Sequence, residues 1–82
     1  MPKLPRNIDA ITLIVALRVL GYNVVRQTGS HIRLTSELMG YKHSITIPNH
    51  KPIKTGTLNS ILNDIALYLN TDKSYLLDKL EL

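Results

Sequence analysis

Between Tyr22 and Ser36 the chain reads YNVVRQTGSHIRLTS, and this stretch limits the fold more than any other. Two β-rich runs flank a short TGS connection, and a glycine in so brief a link is the mark of a β-hairpin. In the second run Ile32 and Leu34 alternate with His31, Arg33 and Thr35, which makes one face apolar and the other polar. An isolated hairpin is marginal in water. Its apolar side therefore needs a third strand and covering helices, and the flanking sequence contains both.

Upstream, Asp9 is placed to cap a helix, with Ile8 and Leu13 as the apolar pair that staples its entry. Leu13, Ile14, Leu17 and Leu20 recur at helical spacing over Ala10 to Leu20, and Gly21 follows where a left-handed residue ends a helix without a Cβ penalty. The preceding MPKLPRN, with two prolines, suits an extended lead-in. Downstream, ELMGYK reads as a connection and HSITIP (His43 to Pro48) as a third strand ended by proline. After the basic loop NHKPIKTG, Thr57 is a candidate cap for a second helix whose stripe is Leu58, Ile61, Leu62, Ile65 and Leu69. Thr71 or Asp72 would cap a short third helix with Tyr75, Leu76 and Leu80 on its apolar side. The expectation is an α+β fold of order αβββα, with a three-stranded antiparallel sheet, helices on one face and a short extra C-terminal helix. Residues 1–82 are expected to form a single domain.

Several classes of function lose ground on composition. There are no cysteines among the 82 residues, which excludes disulfides and thiolate metal sites and fits a reducing compartment. The most apolar run, Ile11 to Leu20, is interrupted by Arg18 and falls short of the ~20 residues that span a bilayer. The N-terminus lacks the order of regions found in a secretory signal. A cytoplasmic chain without membrane partners is expected. Charge is uneven: residues 1–56 carry eight Lys/Arg against two carboxylates, whereas residues 57–82 carry two against four. A basic first two-thirds is the electrostatic footprint of a nucleic-acid partner.

The candidate chemistry is narrow. His31, His43 and His50 match no metal-ligand spacing and have no carboxylate cluster nearby, so no metal is expected. No nucleophile elbow and no phosphate-binding P-loop is present. What remains is His31 on an outward strand face with Arg26 and Arg33 close by. An imidazole can take a proton from a ribose 2′-hydroxyl while a cation stabilises charge building on the phosphate. RNA supplies its own nucleophile, so such a site needs neither metal nor cofactor. A solvated strand end beside two surface arginines is the bland reading of the same residues.

An ordered set of motifs then resembles one family. MPKLPR (Met1 to Arg6), LRVLGYNVVRQTGSHIRL (Leu17 to Leu34) and ITIPNHKPIKTGTLNSIL (Ile45 to Leu62) are together similar to the HicA toxins, RNA-cleaving components of bacterial and archaeal toxin–antitoxin pairs. The resemblance implies a double-stranded-RNA-binding-like fold and a metal-independent mRNA interferase in which His31, within Gly29-Ser30-His31, is the catalytic residue. It implies RNA contact or phosphate stabilisation by His50, Lys51 and Lys54. Arg26 and Arg33 enter on the face argument alone. Pro52 stands where family members often carry glycine, and SELMGYK (Ser36 to Lys42) matches nothing in the pattern. A HicB-like antitoxin is the implied protein partner.

The leading expectation is thus a toxin of a type II system, an endoribonuclease cleaving mRNA with His31 as general base. The alternative is a non-catalytic RNA-binding module on the same fold, and a third reading is a protein-interaction domain whose basic face meets an acidic partner. Tyr22, Tyr41, Ser30 and Lys51 are candidates for the group that protonates the leaving 5′-oxygen.

Overall fold

The computed structural model describes residues 7–82; of the lead-in expected over Met1 to Asn7, all but Asn7 lies outside them. The first element among the described residues is helix α1, Ala10–Leu17, extended by a 3-10 turn over Arg18–Leu20. The Asp9 carboxylate accepts the Thr12 N–H at 2.8 Å, closing the start of α1 as the cap spacing predicts. Gly21 ends the turn at φ +82. A Cβ there would also stand 3.0 Å from the Ser36 hydroxyl oxygen, so both backbone and packing favour glycine.

Three strands follow, β1 (Asn23–Thr28), β2 (His31–Ser36) and β3 (His43–Pro48), in the antiparallel order β1-β2-β3. Helix α2 (Thr55–Leu69) and the short α3 (Lys73–Leu80) complete the expected αβββα order with its extra C-terminal helix. Alternation in β2 and β3 is clean. Ile32, Leu34, Ile45 and Ile47 are buried against the helices, while Arg33 and Thr46 are exposed on the opposite face. Leu13, Ile14 and Leu17 of α1, Leu58, Ile61, Leu62 and Ile65 of α2, and Leu76, Leu77 and Leu80 of α3 join them in one core cluster.

Two helix details differ from expectation. Helix α2 starts at Thr55, with Lys54 as a cap that makes no side-chain bond, rather than after Thr57. Just upstream Ile53 is buried and its N–H bonds the Ile8 carbonyl at 2.8 Å, so the chain is anchored there and turns into the helix at once. In α3 the Asp72 carboxylate bonds the Tyr75 N–H. That cap sets a phase in which Leu76, Leu77 and Leu80 face the core and Tyr75 stays half exposed. No helix among the described residues is long and apolar enough to cross a membrane.

Candidate functional site

The turn between β1 and β2 is tighter than the TGS connection suggests. Thr28 pairs with His31, leaving Gly29 and Ser30 as a two-residue loop. Gly29 has φ +57 and Ser30 is not in the left-handed region, which is the pattern of a II′ hairpin turn. The Ser30 carbonyl accepts the Asn49 N–H at 2.7 Å, so the turn is tied to the segment leaving β3. His31 is thereby held at the start of β2, exposed on the face away from the helices.

Cross-strand partners share a face of a sheet, and the register sorts the outward residues into rows, two of which frame the His31 end. One row is Thr28–His31–Pro48 and the next is Arg26–Arg33–Thr46. The rows lie two residues apart along the strands, roughly 7 Å. Between them is a cleft of about 170 Å³ lined by Arg26, Thr28, His31, Arg33 and Thr46. The structure therefore brings together three residues singled out in the sequence, Arg26, His31 and Arg33, and adds two that were not, Thr28 and Thr46.

Thr46 was within reach of the sequence: Ile45 and Ile47 point inward, which leaves Thr46 outward opposite Arg33. Thr28 was not. The register of β1 shifts between Val24 and Arg26, so Val25 is an extra residue on that strand. Strict alternation from Val24, which pairs with the inward Leu34, would turn Arg26 and Thr28 toward the helix side. The bulge reverses their direction, and both join His31.

The cleft is electropositive without compensation. Arg26 and Arg33 stand directly opposite each other, and the one salt-bridge contact among the described residues is elsewhere, between His43 and Asp64. Of the other basic candidates, His50, Lys51 and Lys54 are all exposed in the segment between β3 and α2. They leave the sheet from the His31 end, since His31 pairs with Pro48, but none lines the cleft. Such a site offers an imidazole, two guanidiniums and two hydroxyls to an anionic ligand and contains no carboxylate.

Two candidate proton donors lie away from it. Tyr22 is fully buried on the helix side, where its hydroxyl meets His43 Nδ1 at 2.6 Å. Burial above all, with Tyr68 and Asp64 nearby, pushes its phenol up from the ordinary value of 10.0. The Tyr22 phenol therefore keeps its proton, and on the other side of the imidazole Nε2 stands 3.5 Å from the Asp64 carboxylate. Tyr41 belongs to the β2–β3 connection at the far end of β2, and its carbonyl accepts the Tyr68 hydroxyl. The Tyr68 hydroxyl in turn accepts the Met39 N–H at 3.0 Å, and its ring stacks on His43 with centroids 4.7 Å apart. This cluster, which sequence patterning did not anticipate, ties the SELMGYK connection to α2.

No curated protein and no solved structure matches the chain. The sequence pattern of the HicA toxin of bacterial toxin–antitoxin systems does match, over residues 12–67. That span runs from α1 through the sheet to the last turns of α2 and takes in the whole cleft. With most of its length in that pattern, and with the helix–meander–helix order present, the chain belongs to the HicA toxin family.

Proposed function

We propose that this chain is the toxin of a type II toxin–antitoxin system, a metal-independent endoribonuclease acting on mRNA in the cytoplasm. The observation that carries the proposal is the cleft itself, in which His31 stands exposed beside two uncompensated guanidiniums in a member of a toxin family. His31 acts as general base on a ribose 2′-hydroxyl, and Arg26 and Arg33 hold the phosphate. Gly29 and Ser30 set the approach of the RNA backbone through the tight turn. His50, Lys51 and Lys54 extend the basic surface beyond the cleft and bind flanking phosphates. A HicB-type antitoxin is the protein partner, and its acidic groups would complement this surface.

One observation favours the alternative, a non-catalytic RNA-binding module: the residues lining the cleft include no second proton-transfer group besides His31. The two readings separate in one experiment. Purified parent and His31→Ala are incubated with RNA in the presence of EDTA, and their affinities for an RNA carrying a 2′-deoxy sugar at the cleavage position are measured alongside. The toxin reading expects cleavage by the parent despite EDTA, a loss of about 10²- to 10⁴-fold in the variant, and little change in affinity. Equal cleavage by both proteins would remove His31 from the mechanism. Salt-dependent binding by a parent that cuts nothing would establish the alternative.

A further inference from the structure

We propose that Thr28 and Thr46 are substrate-positioning residues, and that the bulge at Val25 completes around His31 a clamp for a single phosphodiester. The inference rests on the ribonuclease reading and deepens it, since that reading assigns neither threonine a role.

Three observations carry it. The first is the lining. The cleft presents one imidazole, two guanidiniums and two hydroxyls, and no Tyr, Phe or Trp on which a base could stack, which suits a phosphate group with the sugar oxygen that attacks it. The second is charge. Like charges directly opposite destabilise a sheet, yet Arg26 pairs with Arg33, and among the described residues no carboxylate lines the cleft or forms an ion pair with either. An anion seated between them relieves that repulsion. The third is the bulge. Extra residues on edge strands re-aim side chains, and here one inserted residue redirects two cleft side chains at once, Arg26 and Thr28.

The division of labour follows from the rows. Thr28 pairs with His31, so its hydroxyl stands beside the base and orients the 2′-hydroxyl. Thr46 pairs with Arg33, so its hydroxyl donates to a non-bridging phosphate oxygen opposite the guanidinium. His31 takes the 2′-hydroxyl proton, the O2′–P bond forms and the P–O5′ bond breaks. O5′ takes a proton from water, and the hydroxide left behind is neutralised by the proton His31 has gained. The products are a 2′,3′-cyclic phosphate and a 5′-hydroxyl. A diester carries one negative charge, but the phosphorane formed on attack carries two. Two guanidiniums match the charge that exists only in the transition state, which is where binding accelerates the reaction.

The test uses Thr28→Val and Thr46→Val, near-isosteric changes at exposed positions. Cleavage kinetics on an RNA oligonucleotide are read beside affinity for the same oligonucleotide with a 2′-deoxy sugar at the scissile position. Thr46→Val is expected to weaken affinity for the analogue roughly tenfold and to raise KM. Thr28→Val is expected to leave that affinity unchanged, because the analogue has no 2′-hydroxyl to orient, and to lower kcat roughly tenfold. Parental KM, kcat and affinity in both threonine variants would overturn the clamp. If the parent binds the analogue but cuts no RNA, the ribonuclease reading fails, and the Thr46→Val affinity still decides whether the phosphate is held as proposed.

Discussion

His31 and His43 begin neighbouring strands and share one side chain, but the sheet puts them in opposite surroundings. His31 is exposed on the outer face with arginines and threonines around it. His43 pairs with Ser36 at the other end of β2, five residues or roughly 17 Å away, and turns toward the helices. There Tyr22 meets one ring nitrogen, Asp64 faces the other and Tyr68 covers the ring. A histidine with every polar atom engaged holds elements together; one with open space and unneutralised cations beside it is available to a ligand. Composition alone cannot tell the two apart, and the direction of a side chain from the sheet can.

The widest separation between the two is expected on alanine substitution. His31→Ala should remove about 10²- to 10⁴-fold of the cleavage rate and leave the melting temperature near that of the parent. His43→Ala should do the reverse: cleavage per folded molecule is retained, and stability falls by about 1–3 kcal/mol because the buried Tyr22 hydroxyl loses its partner. Chemical denaturation and single-turnover cleavage on the same preparations measure both. A His43→Ala protein that is stable but inactive would erase the distinction drawn between the two faces.

A finer cut goes through Tyr22. Replacing it with phenylalanine keeps the ring in the core and deletes the bond to His43, at an expected cost of about 1 kcal/mol. The same variant isolates a pH effect. Since the Tyr22 phenol is raised in the fold above 10.0, the folded state holds that proton more firmly than the unfolded state. Its contribution is complete below the unfolded value and declines as pH rises past it. The stability gap between parent and Tyr22→Phe should therefore shrink from about pH 10 upward. A gap that stays constant into alkali would contradict the buried, proton-holding phenol.

The smallest effect is expected at Asp9, whose backbone and side-chain bonds to Thr12 hold its carboxyl below the ordinary value of 3.8. The sign is opposite to that of Tyr22. This stabilisation is present above the unfolded carboxyl value and is lost as pH falls through the folded one. Asp9→Asn can still cap the helix but carries no charge, so its thermal stability should fall less steeply in acid than that of the parent. Parallel acid titrations of melting temperature check this, and identical slopes would remove Asp9 from the acid response.

Much of the molecule was legible because local chemistry and tertiary packing agree there. Asp9, Gly21 and Asp72 sit at helix ends as their side chains or their lack of one require. Ile32, Leu34, Ile45 and Ile47 alternate as a half-buried sheet demands. Where two signals competed, the reading slipped. Thr57 looks like a cap but lies inside α2, because the buried Ile53 settled where the chain could turn. Tyr75 fits an apolar stripe but gives way to Leu77, because the cap at Asp72 set the helix phase.

For the candidate site the division is sharper. The sequence by itself determined that this chain makes a helix–meander–helix unit, that His31 follows a tight turn, and that His31 and Arg33 share an outward face. Those properties depend on neighbours within a few residues, through caps, turn geometry and a period of two. Only the tertiary structure decided that Arg26 and Thr28 belong with them, that Thr46 closes the cleft from β3, and that Tyr22 and His43 belong to the core. A bulge depends on how one strand registers against another, and a single added residue reverses every side chain that follows.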